Sequence, residues 1–223
     1  MINSIIKIAS KTIGTLHFPY VDKKFNLDHY FTIEKLIREQ SHHFIVGLVK
    51  TNGHGTNLLV KIATRDSEIV HAFAHIGIYK GYKHRVIESV GTGIQEISLL
   101  SAIGQRDRVI LRAPNIKIIP VKVLDHAVNY CKEIAKRDSK QNIKYDNVHD
   151  YSTITYGELC NYNADIKLDC SEVIMQALEH GFRKCNLHSP INRVQRGGKW
   201  TWSPLDILKS DIFTTIYDSQ DDW

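Results

Sequence analysis

The stretch Leu168-Asp169-Cys170-Ser171-Glu172-Val173-Ile174 predicts the start of a helix. Asp169 is a good N-cap residue, and Glu172 three positions later completes a capping-box pattern. The apolar residues that follow predict a helix over about 170–180, ended by Gly181 as the C′ residue. Cys170 then takes the first helical position, where free backbone N–H groups and the helix dipole favour the thiolate, the reactive form of cysteine.

The charges beside Cys170 oppose this activation. Asp169 and Glu172 both disfavour a thiolate, so a reactive cysteine at this position needs a histidine partner. The alternative is a buried, unreactive cysteine, which is a common state for a free cysteine in a folded protein.

A candidate partner lies far upstream, in the strand-like run His75-Ile76-Gly77-Ile78-Tyr79. If Lys80-Gly81-Tyr82-Lys83 forms a tight loop, the returning strand places Glu88 directly opposite His75. A carboxylate in that position holds one ring nitrogen of the histidine and leaves the other for the nucleophile. The sequence therefore predicts His75 and Glu88 as the partners of Cys170.

Three alternatives remain open for these residues. His75 and Glu88 can be an ordinary cross-strand pair of a half-exposed sheet. His71 is a second candidate base on the same strand face, although it meets no carboxylate in this register. His71, His75, Glu88 and Cys170 can also be read as a metal site, but two histidines four residues apart on a strand do not easily chelate one ion.

The composition is that of an ordinary globular protein. The chain has 223 residues, of which 43% are hydrophobic, enough for one sizeable core. The net charge is +5 with Lys and Arg scattered along the chain, which favours a solvated surface over a nucleic-acid groove and leaves attraction to an anionic membrane or cell wall open. The four cysteines do not suggest a disulfide framework, and we expect no metal or cofactor.

The N-terminal residues lack the pattern of a signal peptide. Lys7 and Lys11 interrupt any apolar core there, and no run in the chain is long enough to span a membrane. We therefore expect a soluble chain, with its localisation open between the cytoplasm and export by a specialised route.

Hydrophobic periodicity predicts an α+β protein, because a helix is followed by strands and then by two further helices. The expected elements are an amphipathic helix at 27–43, a buried strand at 44–49, a loop at 51–56, a short helix at 57–64, strands at 72–79, 85–90 and 108–112, a helix at 121–136, long loops over 138–167, the cysteine helix, and an irregular tail with a turn or helix start at Ser203-Pro204-Leu205-Asp206.

These motifs together resemble the circularly permuted papain-like hydrolases of the NlpC-type superfamily, and among them the YiiX-like branch. The residues that carry the resemblance are His75-Ile76-Gly77-Ile78-Tyr79, Val86-Ile87-Glu88-Ser89 and Asp169-Cys170-Ser171-Glu172-Val173. Their order is histidine, acid, cysteine, whereas ordinary papain-like chains begin with the cysteine. The resemblance implies an antiparallel sheet packed against helices, with the nucleophile at a helix N-terminus, in a catalytic domain over 44–223 preceded by an N-terminal helical extension over 1–43.

The resemblance also implies a mechanism. His75 would activate Cys170, Glu88 would orient His75, and the thiolate would cleave an amide of a peptide or cell-wall-like substrate through an acyl-enzyme. Tyr145 lies where members of the family often carry a tyrosine near the cleft, although a packing role is the simpler interpretation.

Two other functions stay open. The same triad could serve a lipid or thioester deacylase or acyltransferase, with peripheral membrane contact. Acyl-transferring relatives, however, tend to carry an N-C-E-H-type motif where this chain has Asp169-Cys170-Ser171-Glu172. A non-enzymatic binding module that keeps the fold is the third possibility. The chain also departs from the family where Phe44-Ile45-Val46-Gly47 lacks an aspartate after the glycine and where Ala74 precedes the histidine.

Overall fold

The structure is a computed structural model that describes residues 27–50, 71–79, 83–90, 93–104, 106, 108–141, 168–196 and 199–220. The predicted loop at 51–56, the predicted helix at 57–64 and Tyr145 lie outside the described residues. Among the described helices, none is long and apolar enough to cross a membrane.

Eight strands and five helices form the described part of the chain. In chain order they are α1 (Leu27–Arg38), β1 (Ile45–Lys50), β2 (His71–Tyr79), β3 (Lys83–Val90), β4 (Gly93–Ser98), α2 (Leu99–Ile103), β5 (Arg108–Pro114), α3 (Val121–Gln141), α4 (Cys170–Lys184), β6 (Val194–Arg196), β7 (Lys199–Thr201), α5 (Pro204–Lys209) and β8 (Phe213–Asp218).

Six of the strands form one sheet in the order β4-β3-β2-β1-β5-β8, and every neighbouring pair is antiparallel. Strands β6 and β7 pair separately. The predicted α+β class, with an antiparallel sheet packed against helices, is confirmed. Two strands of the large sheet were not predicted. Strand β4 lies where no element was expected, and β8 lies in the tail that was expected to be irregular.

The large sheet is buried on both faces. One face, which we call the α3–α4 face, carries Val46, Ala74 and Ile87 and packs against the two long helices. The opposite face, the α1 face, carries Ile45 and Val86 and is covered by α1 and α2. Because side chains alternate along a strand, neighbouring residues of β1, β2 and β3 belong to opposite faces. This alternation decides which candidate side chains can meet.

The β2–β3 hairpin has a different register from the predicted one. Tyr79 pairs with Lys83, the register shifts between His75 and Gly77, and His75 then pairs with Val86. The shift is a β-bulge, and Gly77 has the positive φ of 131° that glycine accommodates readily. The prediction that Glu88 lies opposite His75 is therefore wrong, since Glu88 pairs with Phe73.

Helix α4 continues past Gly181 to Lys184, so the prediction of Gly181 as the C′ residue is wrong. A Cβ atom at this glycine would lie 2.3 Å from the carbonyl oxygen of Val123 in the first turn of α3. The missing side chain therefore lets the two helices approach closely, and the helix ends instead with Cys185 as its C-cap.

The C-terminal elements are fixed to the sheet by a buried arginine. Arg112 in β5 donates to the backbone carbonyls of Leu208, Ser210 and Phe213, which lie at the end of α5 and the start of β8. The sequence predicts either a turn or a helix start at Ser203. The helix start is observed, because α5 begins with Ser203 as its N-cap.

Candidate functional site

Cys170 is the first residue of α4, as predicted. Asp169 caps the helix by accepting a hydrogen bond from the Glu172 N–H at 2.7 Å, while the Glu172 carboxylate accepts from the Asp169 N–H at 2.9 Å. The capping box is thus confirmed. Ser89 in β3 donates its hydroxyl to the Leu168 carbonyl at 2.6 Å, which ties the segment before the helix to the sheet.

The thiol of Cys170 is buried, with only 5% of the residue exposed. Burial raises the pKa of this thiol, and the carboxylates of Asp169 and Glu88 raise it further. Backbone hydrogen bonds at Ala72 and Ser171 act in the opposite direction but do not cancel the rise in pKa. The expectation of a thiolate favoured by the helix start is therefore wrong for this conformation, because desolvation outweighs the helix terminus.

His75 is fully buried, and its hydrogen bonds go neither to Glu88 nor to Cys170. Its Nδ1 lies 2.6 Å from the carbonyl oxygen of His43, which can only accept, so Nδ1 carries the proton. Its Nε2 must then accept from Nδ1 of His84 at 3.1 Å. Burial lowers the pKa of His75 from 6.5 to about 3. Both ring nitrogens are thus engaged in holding the sheet together.

The two faces of the sheet explain why His75 and Cys170 do not meet. His75 pairs with Ile45 and Val86, whose side chains belong to the α1 face. Cys170 packs within the cluster of the α3–α4 face. The sheet therefore lies between them, and the predicted contact of His75 with Cys170 is not formed.

The carboxylate of Glu88 instead holds His71. Nε2 of His71 lies 2.7 Å from one oxygen of Glu88, and the side-chain amide of Gln95 donates to the other oxygen at 2.7 Å. Burial alone would raise the pKa of Glu88, but the hydrogen bonds and charge of its partners lower the pKa below its ordinary value. The second nitrogen of His71, Nδ1, has no hydrogen-bond partner among the residues that the structure describes.

The His71–Glu88 pair and Cys170 lie at the same end of β2 and β3. Ala72, whose backbone reaches the thiol, directly follows His71, and the charge of Glu88 is close enough to raise the pKa of the thiol. The pair nevertheless projects from the α1 face and the thiol from the other. His71, held by Glu88, therefore lies at the same strand end as Cys170, but the histidine and the cysteine are not in direct contact.

His71 and Gln95 could have been found from the sequence only in part. His71 was considered as a second base. Gly77 inside the strand was a signal for a bulge, and a bulge changes which histidine meets Glu88. Gln95 lies in β4, a strand that was not predicted, so no signal in the sequence selected it.

The proposed metal site is not formed. Among the described residues, no group of three or more His, Cys, Asp and Glu side chains could hold a metal ion. Tyr145, the predicted substrate-binding residue, lies outside the part of the chain that is described.

Neither a scan against models of protein families nor a search of curated proteins found a match to this chain.

Proposed function

We propose that this protein is a cysteine-dependent hydrolase that cleaves an amide of a peptide or cell-wall-like substrate, with Cys170 as the nucleophile and His71 as the base oriented by Glu88. One observation carries the proposal: His71 has one ring nitrogen on a carboxylate and the other without a described partner, whereas both nitrogens of His75 are engaged. The order His71, Glu88, Cys170 is still the permuted order, so the proposal keeps the permuted papain-like arrangement.

The chemistry follows from these groups. The Cys170 thiol gives its proton to Nδ1 of His71 as sulfur bonds to the carbonyl carbon, and backbone N–H groups at the start of α4 stabilise the oxyanion. His71 then returns the proton to the leaving amine as the C–N bond breaks. Water, deprotonated by His71, attacks the resulting thioester and releases the acid, which restores the thiol. Because burial raises the pKa of Cys170, the proton leaves during the attack and not before it.

The proposal requires one movement. The His71 imidazole must pass from the α1 face around the start of β2 to reach the thiol. His71 is the first residue of β2, so its side chain lies at the strand end, where such a passage needs the least disruption of the sheet. The free protein would already sample this arrangement, and substrate binding at Cys170 would favour it further by providing the carbonyl that the sulfur attacks.

A second candidate function is a non-catalytic binding module. The observation in its favour is the burial of Cys170, which at 5% exposure and with a raised pKa has the properties of a packing residue. The two candidates predict different reactivity of the thiol, so one experiment separates them.

The first test measures alkylation of the folded protein by iodoacetamide at neutral pH, with peptide mass mapping at each cysteine. Cys131, which is fully buried, and Cys185, which is partly buried, serve as internal references. We expect Cys170 to react faster than Cys131, and His71→Ala to slow this reaction about 100-fold, since general base catalysis typically contributes at least that factor.

His75→Asn is the matched control. The asparagine amide can still donate to the His43 carbonyl, and circular dichroism checks that each variant is folded. We expect this variant to keep the alkylation rate of Cys170. Equal rates at Cys170 and Cys131 would support the binding module, and loss of reactivity in His75→Asn with retention in His71→Ala would overturn the assignment of the base.

The substrate class is tested by incubating the protein with peptide amides, cell-wall fragments, lipid esters and thioesters, followed by mass analysis of the Cys170 peptide. An acyl adduct from the amides supports the proposed hydrolase. An adduct from lipid esters or thioesters alone would replace it with the deacylase or acyltransferase alternative, with Cys170→Ala as the control that removes any adduct.

A further inference from the structure

The turn between β5 and α3, together with the first two residues of α3, exposes a cluster of aliphatic side chains over residues 115–122. Ile116 is 51% exposed, Ile118 is 37% exposed and Val121 is 39% exposed. They are three of the seven exposed large hydrophobic residues in the described part of the chain, and they lie within six positions. Single exposed hydrophobic residues are common on protein surfaces, but a cluster at a tight turn, where polar residues dominate, points to a binding role.

The turn is held rigidly with these side chains outward. The N–H groups of Ile118 and Ile119 donate to the Asn115 carbonyl at 2.9 and 2.8 Å, and the Lys117 N–H donates to the Asn115 side chain at 3.1 Å. The Asn115 N–H donates to the carbonyl of Ile212 at 2.9 Å, and Ile119 is fully buried. The exposed residues are therefore fixed in place before any partner binds, which lowers the entropy cost of binding.

The charges on this turn are positive. Lys117 and Lys122 are exposed and are the only charged residues within 115–124. Asp125 and Asp211 are exposed nearby and limit the positive region to the turn itself. Aliphatic side chains between lysines fit the surface of an anionic lipid bilayer, where negatively charged headgroups cover apolar acyl chains.

The small size of the cluster argues against a protein partner. Three partly exposed aliphatic side chains present on the order of 200 Å² of apolar surface. A stable protein interface buries about 800 Å² on each partner. A convex turn suits shallow insertion between lipid headgroups better than it suits a broad protein surface.

We propose that the 115–122 turn is a peripheral membrane-contact site, in which Ile116 and Ile118 enter the headgroup region of an anionic phospholipid bilayer while Lys117 and Lys122 contact the phosphates. The site is separate from the proposed catalytic residues. Val123 at the start of α3 lies against Gly181 near the end of α4, and Cys170 is at the other end of this 15-residue helix, which spans about 22 Å. The turn would attach the protein to a membrane without bringing the lipid to Cys170.

The test is sedimentation of the full chain with phosphatidylcholine vesicles, with and without phosphatidylserine. We expect binding that requires phosphatidylserine and weakens with salt. Ile116→Ser/Ile118→Ser should weaken it about tenfold, and each of Lys117→Gln and Lys122→Gln about fivefold, the factor for one lysine near an anionic surface.

Leu187→Ser is the matched control, because Leu187 is 45% exposed in the loop after α4. It should bind vesicles as the unchanged protein does, and so should Cys170→Ala, which keeps this test independent of catalysis. Absence of binding to phosphatidylserine vesicles, or equal loss in Leu187→Ser, would overturn the proposal. So would a change of oligomeric state in Ile116→Ser/Ile118→Ser on size-exclusion chromatography, which would make the turn a protein interface.

Discussion

At the scale of single residues, Glu88 holds the candidate site together. Its carboxylate is 3% exposed, and each of its oxygens accepts one hydrogen bond, from His71 and from Gln95. A buried carboxylate that keeps its charge needs both partners, because a charged oxygen without a hydrogen bond in the interior is costly. Gln95 therefore supports His71 indirectly, by keeping Glu88 ionised.

We expect Gln95→Leu to lower the free energy of unfolding by about 2 kcal/mol at pH 7, because one oxygen of a buried carboxylate loses its donor. The hydrogen bond from Gln95 is among the causes that lower the pKa of Glu88, so its loss raises that pKa. The penalty should shrink at pH 4, where the variant protonates Glu88 more readily than the unchanged protein does. Urea unfolding at the two pH values measures this, and an equal penalty at both would contradict it.

Local hydrogen bonds could be predicted from the sequence, whereas long-range ones could not. The capping box depends only on Asp169 and Glu172 being three residues apart in the first turn of the helix, and it is present as predicted. The partner of Glu88 depends on the pairing of two strands, and a change in that pairing moved the carboxylate from His75 to His71.

At the scale of elements, the β2–β3 hairpin explains this exchange of histidines. The predicted register differs from the observed one by one residue at the loop and by one more at the bulge. A shift of one residue would have turned Glu88 to the other face, but two shifts restore the face and displace the partner by two positions. Glu88 thus stays on the α1 face, opposite Phe73 and diagonal to His71. The face on which Glu88 lies was predictable from the alternation of side chains, whereas the size of the register shift was not.

Helix α1 meets this hairpin at a polar contact between Glu34 and His84. Nδ1 of His84 donates to His75, so in the neutral ring Nε2 is an acceptor, and it lies 3.3 Å from a carboxylate oxygen of Glu34. This Nε2 has no hydrogen-bond partner among the described residues. Burial lowers the pKa of His84, although Glu34 partly offsets this, and the ring is neutral above pH 7. Two acceptors then face each other where α1 packs on the sheet.

We therefore expect Glu34→Gln to raise the free energy of unfolding by about 1 kcal/mol at pH 8, because the glutamine amide can donate to His84. The gain should be smaller at pH 5 than at pH 8, because protonation of His84 favours the carboxylate. Chemical denaturation at both pH values checks the sign. Glu39→Gln, at an exposed glutamate paired with Lys35, is the control and should show no gain at pH 8. Destabilisation by Glu34→Gln at pH 8 would contradict the assignment of the ring protons.

At the scale of the whole molecule, the sheet is covered by helices on both faces. The fold class could be predicted from the sequence, but the helices that each strand residue faces could not. The apolar periodicity of α3 and α4 identifies their buried sides, and the α+β class follows from it. The assignment of each strand residue to a face needs the full strand order, which places β1 and β2 at the centre of six strands. Without that order, Cys170 and His75 could not be recognised as lying on opposite sides.

The same burial makes the molecule sensitive to acid. The pKa of His75 falls to about 3 and that of His180 to about 4, and those of His42 and His84 are also lowered, in each case mainly by burial. Each ring therefore binds a proton less readily in the folded state than in the unfolded state, where its pKa is near 6.5. The unfolded state therefore binds more protons below pH 6.5, so stability is greatest above this pH and falls as the pH decreases towards 3.

His75, the most deeply buried of these rings, should contribute one proton to that loss. Between pH 6.5 and pH 5 it removes about 2 kcal/mol from the free energy of unfolding, because each pH unit in this range costs about 1.4 kcal/mol per proton. We expect His75→Asn to lower stability at pH 7 but to reduce the difference between pH 7 and pH 5 by about that amount in urea unfolding. His188→Asn, at an exposed histidine after α4, is the matched control and should keep the full difference. If His75→Asn also keeps it, the acid sensitivity arises from other groups, and His75 is not held neutral by the fold.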